Sequence, residues 1–365
     1  MWFKRMPLED WFDTYQYEVE YDVGESAVKF LTFDDLNLDL GKLPLRYGYH
    51  HGRPDLRELI ARQYEGLSAD HVIVTNGASE ANFAIVAALV RPGDHVIVEH
   101  PNYPSLYEVP RSLGCDVSLF HLEIENGFRP DLSKLEALIT PKTKLISLTH
   151  PNNPTGSMIT ERALQDAVEL AESRNIYLMF DETYRELAFG DRLPGAASLS
   201  SRVIAISSMS KSYGLPGIRI GWLATTSQEV LDSVLAIREQ VSIANGAINE
   251  EIASKVLERQ DEFVQRARQH VAANFDVVRA WMNTQETLQW IPPEAGVVAL
   301  PKIKSTTPME PDSFYQRLVD EYKTFVIPGR CFEMDNHYFR LGYGGTMGEL
   351  KRGLENIGNA LRTYA

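Results

Sequence analysis

Only two cysteines, Cys115 and Cys331, occur in 365 residues. That is too few for a disulfide framework, and both are expected to be reduced. No run of about 18 apolar residues is present, which excludes a membrane-spanning helix. Positive charge is also in short supply. Lys and Arg number 36 against 50 Asp and Glu, for a net charge of −14. Nucleic acids and anionic membrane faces need a basic surface, so both are excluded as partners. Any anion bound here must be met by a few placed groups. The N-terminal "MWFKRMPLEDWFDTYQYEVEYD" is acidic and aromatic and lacks the apolar centre of a signal peptide. The expected compartment is the cytoplasm.

What is present is a regular alternation. "HVIVT" (71–75), "HVIVE" (95–99), "CDVSLF" (115–120), "KLISLTH" (144–150), "IYLMFD" (176–181), "RVIAISS" (202–208) and "IRIGWLAT" (218–225) read as strands. Their near-continuous apolar character suits a mostly parallel sheet covered on both faces. Helical patterns such as 79–89 and 161–174 fit between them. The fold class expected is α/β, a doubly wound, mostly parallel seven-stranded sheet. From about 229 to 284 the pattern is long, charged and helical. "GVVALPKI", "TFVIPG" and "YFRLGYG" then read as strands, and 347–364 as a closing helix. These belong to a smaller α+β domain. The expected division is an N-terminal segment 1–45 packing with the small domain, a large domain 46–275 and a small domain 276–365.

Ligands of such sheets bind at the carboxyl ends of the strands. After 71–75 comes "NGASEA", where Ala78 and Ser79 open a helix whose free N–H groups suit an anion. The same residues would also serve as a plain turn with Ser79 as helix cap. After 144–150 the prolines of "HPNNPTG" hold Asn153 in a rigid loop. After 176–181 comes "DETYREL", and a terminal acid such as Asp181 must be paired or capping. Tyr184 follows three residues on. After 202–208 comes "SMSKSYGLPGIRIGW". Ser208 and Arg219 suit an anion, with the fork of Arg favouring phosphate. Lys211, in a tight and partly dry pocket, is expected to have a lowered pKa and to act as a nucleophile forming a Schiff base. A phosphate cradle, an amine for an aldehyde, an acid for a ring nitrogen, and an amide with a phenol for a phenolic oxygen together match pyridoxal 5′-phosphate.

The chain resembles the fold-type I pyridoxal-phosphate enzymes, in particular the class I/II aminotransferases. The resemblance is carried by "YGYHHGRPDLREL", "NGASEA", "HPNNPTG", "DETYREL", "SMSKSYGLPGIRIGW" and "YFRLGYG". "PLEDWF", "GLPGIRIGW" and "PGRCF" also resemble the capreomycidine-synthase-like branch. The resemblance implies that Lys211 carries the cofactor and shuttles the proton between Cα and C4′. It implies that Asp181 keeps the pyridine nitrogen protonated and that Asn153 and Tyr184 bond the ring 3′-oxygen. Tyr103 resembles the aromatic residue stacked on the ring, and Arg340 the arginine that pairs with the substrate α-carboxylate. Gly24 would approach the substrate closely. Tyr47 resembles a tyrosine that reaches the phosphate of a neighbouring subunit, which implies a homodimer with shared sites.

The implied activity moves the α-amino group of an L-amino acid to the cofactor and on to a 2-oxo acid. The same residues support cyclisation, β-elimination or oxidation, and a specialised biosynthetic enzyme is the alternative. Tyr49, His50 and His51 stand where the family often has small residues and proline, and His50 and His51 are adjacent histidines. They lack a third ligand nearby, so no metal is assigned and they are expected to line a substrate pocket. "GYGGTMG" (342–348) nearly mimics a dinucleotide fingerprint but is expected to be a turn into the last helix.

Overall fold

The computed structural model describes residues 2–305 and 310–362. Seven strands form the central sheet: β1 (Val72–Thr75), β2 (His95–His100), β3 (Asp116–His121), β4 (Thr143–Thr149), β5 (Tyr177–Asp181), β6 (Val203–Ser208) and β7 (Gly221–Ala224). Their spatial order is β1-β7-β6-β5-β4-β2-β3. The pairs among β2 to β6 are parallel, and β7 runs antiparallel to both of its neighbours.

Successive residues of a strand point to opposite faces, and here both faces are buried. Val72, Val74, Phe180 and Trp222 face one layer, with Leu56, Leu164 and Ile252 from helices packed against them. Ile73, Met179, Ile204 and Leu223 face the other, against Ala81, Ile85 and Val234. The covering helices include α1 (Ala78–Leu89), α2 (Glu161–Ser173), α3 (Gln228–Val241) and α4 (Ala247–Leu257). Thr160 and Ser227 cap α2 and α3 by accepting from Ala163 N and Val230 N.

A separate apolar cluster gathers Leu8, Trp11 and Val23 with Phe314, Phe325, Ile327, Leu341 and Leu354. It joins the N-terminal helix Pro7–Tyr15 to the strands Thr324–Phe325, Ile327–Pro328 and Phe339–Gly342 and the closing helix Met347–Arg362. Tyr21–Asp22 pairs in parallel with Thr324–Phe325. Leu36, also from the early segment, packs instead in the cluster on the large sheet. The 342–348 stretch is a turn into the last helix, where Thr346 and Glu349 exchange side-chain and backbone hydrogen bonds. Tyr364, expected near the end of that helix, lies outside the described residues.

Candidate active site

A cavity of about 440 Å³ opens at the carboxyl ends of β4, β5 and β6. Ala78, Ser79, Tyr103, Asn153, Asp181, Tyr184, Ser208, Lys211, Arg219 and Arg340 all line it. Gly24 is beside it through its carbonyl, which accepts from Arg340 Nε and NH2 at 3.1 and 2.7 Å. Tyr47 is elsewhere on this chain and is 85% exposed.

Each wall has a local cause. Helix α1 begins at the cavity with no side-chain cap on its N-terminus, so free N–H groups face inward. The Arg219 guanidinium lies against Gly77, where a Cβ would come within 2.4 Å of NH2. Gly77 also has φ +82°, so glycine is required twice over. Asp181 ends β5 and accepts from Thr183 N at 3.0 Å. Burial raises its pKa above the usual carboxylate range. Tyr184 donates to the Ser26 carbonyl at 2.7 Å. Tyr103 donates to Glu9 Oε1 at 2.7 Å.

The rigid loop is held from beneath. Buried Glu99 accepts from His150 Nε2 at 2.8 Å, Thr149 N at 2.9 Å and Asn152 Nδ2 at 3.2 Å. His150 Nδ1 accepts from Ile159 N, which leaves the proton on Nε2. Asn153 is thereby aimed at the cavity, where Oδ1 accepts from Arg340 NH1 at 3.1 Å.

Lys211 departs from expectation. Its Nζ donates to Glu25 Oε1 and Ser26 Oγ, both at 3.1 Å. Burial lowers its pKa, but Glu25 and Tyr184 outweigh burial and the net direction is upward. His50 and His51 stand in a turn. Neither lines the cavity of this chain. Their turn is tied instead to α3: Arg238 NH1 donates to the His50 carbonyl, and His50 Nδ1 sits 3.1 Å from Glu239.

A sequence model of the family described as "Aminotransferase class I and II" matches residues 26–357. The chain belongs to that family. It is a pyridoxal-phosphate-dependent transferase of fold type I. Capreomycidine synthase of Streptomyces vinaceus is 30% identical, covering 98% of this chain and 94% of that one. Aspartate aminotransferase of Thermotoga maritima is 29% identical over 93% and 88% of the two chains. The solved structure of a PLP-dependent aminotransferase from Streptococcus suis superposes with a TM-score of 0.94 at 32% identity, covering 100% and 99%.

The residues fit the cofactor of this aminotransferase family. The uncapped helix end, Ser208 and Arg219 are a ready anion cradle, and the amine of Lys211 and the acid of Asp181 line the same cavity. Sequence reasoning missed the contributions of Glu9, Phe12, Glu25, Asn102 and Thr149. Asn102 and Thr149 stood next to named residues. Glu9 and Glu25 come from the N-terminal segment, which follows no strand of the large sheet.

Proposed function

We propose that this enzyme moves the α-amino group between an L-amino acid and a 2-oxo acid, with Lys211 as its cofactor-bearing lysine. The observation that carries this reading is the convergence of Lys211, Asp181 and Arg340 on one cavity. Ala78, Ser79, Ser208 and Arg219 would hold the phosphate, and Asn153 and Tyr184 the phenolic oxygen. Tyr103 would cover the ring. When bound, pyridoxal phosphate supplies an aldehyde for the amino group and a ring that accepts electrons. Asp181 holds a proton at the ring nitrogen. Arg340 pairs with the substrate α-carboxylate as a fork. That pairing orients Cα toward Lys211, whose Nζ takes and returns the proton. Gly24 would lie near the substrate through its carbonyl, which accepts from the Arg340 guanidinium. Borohydride reduction of the holoenzyme tests this: the cofactor should be fixed to the peptide containing Lys211, and fixation to another lysine overturns the assignment.

A second reading, a specialised enzyme such as a cyclase, β-eliminating lyase or oxidase, is favoured by one observation. A relative that is 30% identical over 98% of this chain is a capreomycidine synthase rather than an aminotransferase. Amino-acid screening with identification of the released product separates transfer from elimination and cyclisation.

We further infer a homodimer with shared sites. Leu45, Tyr47, Tyr49, Val241 and Ile243 are exposed large hydrophobics. They belong to two segments joined through Arg238 and His50, a patch that suits an isologous contact. The division into an N-terminal segment 1–45, a large domain 46–275 and a small domain 276–365 is retained as a proposal. Two buried, unpaired cysteines suit the reducing cytoplasm, which we propose as the compartment. No described helix is long and apolar enough to cross a membrane.

A further inference from the structure

The segment Asp22–Val28 runs as a strap between Lys211 and Arg340. Its shape is fixed on every side. Asp22 Oδ1 accepts from the N–H groups of Gly24 and Glu25, both at 2.9 Å. Val28 N donates to the Lys211 carbonyl at 3.1 Å. A Cβ on Gly342 would lie 2.0 Å from the Glu25 carbonyl, and one on Gly344 would lie 1.9 Å from that of Ala27. These two glycines exist to let the strap lie down. The strap then presents one charged side chain to the cavity, that of Glu25.

We propose that Glu25 is a positioning residue for Lys211, holding Nζ at the cavity wall when that nitrogen is not bonded to the cofactor and stabilising its ammonium form once it has taken a proton. This rests on the reading that Lys211 is the cofactor-bearing lysine. The ion pair is 3.1 Å long, with both side chains mostly withdrawn from solvent. Salt screens a partly buried pair less than an exposed one, so the carboxylate acts on Nζ more strongly than a surface partner would. The other charged or titratable groups facing Nζ are Tyr184, from the loop after β5, and Arg340, from the late strand. Arg340 opposes the proton, and Glu25 offsets it. The Glu25 carboxyl is correspondingly held below its usual range: burial alone would raise it, but Lys211 and Arg340 outweigh burial.

The consequence bears on proton carriage. A lysine that takes a proton from substrate Cα must keep it until it is returned. A fixed anion beside Nζ stabilises that protonated interval and keeps the ammonium from leaving toward solvent. Ser26 Oγ, the second acceptor of Nζ, is neutral and adds direction without charge.

The test measures Lys211 itself. The full chain is prepared without cofactor and, separately, loaded with pyridoxamine phosphate, so that Nζ is free in both. Trace acetylation by acetic anhydride is followed against pH by mass spectrometry of the Lys211 peptide. An opposite charge at this distance moves a pKa by about one to three units. Glu25→Gln should therefore label at least about tenfold faster below the wild-type midpoint. Glu25→Asp should stay near wild type, and Ser26→Ala within about twofold, since a neutral acceptor shifts a titration little. Superimposable profiles for wild type and Glu25→Gln overturn the proposal, as does an equal shift in Ser26→Ala. If Glu25→Gln does not fold, the wild type decides alone. Lys211 must then label more slowly than exposed lysines near pH 8, and faster labelling overturns the proposal. The parent reading fails separately, by borohydride fixation elsewhere than Lys211.

Discussion

Arg340 NH1 donates to Asn153 Oδ1 at 3.1 Å, a bond between residues 187 positions apart. It ties the late strand to the rigid loop after β4 in the wall of the cavity. The guanidinium is fully buried, and burial pulls its pKa down from the ordinary value. A buried cation is held at such cost only where an anion or firm acceptors receive it. Gly24 and Asn153 are those acceptors here. Arg340→Lys keeps the charge and loses the fork. The KM for amino acids should rise about ten- to a hundredfold, the equivalent of one charged hydrogen bond. Cofactor absorbance should stay as in wild type. Equal rates on amino acids and on the matching amines would show that no carboxylate is read at this position.

Asp181 illustrates a conflict between stability and chemistry. Its pKa in the folded cofactor-free chain is raised above the usual carboxylate value by burial. A raised carboxyl favours the folded state at low pH, and that contribution is lost as pH climbs through the raised value. Once ionised, the carboxyl leaves the cofactor-free protein with a desolvated charge. Asp181→Asn removes the charge and can still accept from Thr183 N. Its cofactor-free melting temperature at pH 7 should equal or exceed that of wild type, by on the order of 1–2 °C per 1 kcal/mol gained. The advantage should vanish below about pH 4, where the wild-type carboxyl is neutral as well. Turnover should fall by orders of magnitude. A destabilised variant at pH 7 would mean that the carboxylate is stabilised by something other than Thr183.

The sheet could be read from its residues because each strand is a short apolar run followed at once by a polar motif. Expected and observed strands agree within a few residues, from 71–75 against Val72–Thr75 to 218–225 against Gly221–Ala224. The antiparallel direction of β7 was not legible. Hydrophobicity reports burial on both faces, and a Trp222 packed between helices looks the same in either direction. Site residues at strand ends were legible for a physical reason: the sheet brings its carboxyl ends together whatever the intervening helices do. Glu25 and Glu9 carry no such address. They reach the cavity through contacts with Lys211 and Tyr103, which no local pattern encodes. The lowered pKa expected for Lys211 failed because burial was weighed without this partner. His50 and His51 break the family pattern, and their carbonyls accept from Arg238 NH1 and Val74 N, contacts that no local pattern encodes.

Glu99 supports the loop that carries Asn153. It satisfies three donors, those of His150, Thr149 and Asn152, and is fully buried. Glu99→Gln places an amide donor against one of those donors. The cost should be roughly 1–3 kcal/mol, that of one unsatisfied buried group, read as a lower urea midpoint at unchanged slope. Activity should fall with it, because Asn153 is adjacent to the disturbed Asn152. An unchanged midpoint would remove the carboxylate from its structural role.

Gly342 and Gly344 should be the least replaceable small residues of the last strand and turn. At either position a Cβ meets the backbone of the strap rather than a side chain that can swing away. Gly342→Ala must lift Glu25 and Gly24 together. Lys211 and Arg340 would then lose partners in one step. The expected result is a loss of activity well beyond the loss of stability, with Lys211 labelling shifted in the same direction as in Glu25→Gln. Wild-type turnover in Gly342→Ala would mean that the strap can shift without cost.

Tyr47 decides whether two chains share a site. On its own chain it is outside the cavity and largely exposed. A phosphate carries more negative charge than Arg219 alone offsets, so further donors are expected around it. If Tyr47 supplies one to the neighbouring chain, Tyr47→Phe should weaken cofactor affinity by roughly 1.5–3 kcal/mol, the range for a hydrogen bond to a charged group. The sharper test mixes Tyr47→Ala and Lys211→Ala, each inactive alone, under conditions that exchange subunits. In a two-fold dimer each hybrid then has one site with both lesions and one with neither. Half the dimers at equal mixing are hybrids with one intact site each, so activity should return to about one quarter of wild type. No recovery despite demonstrated exchange, or a fully active monomer, would assign Tyr47 to its own chain and remove the shared site.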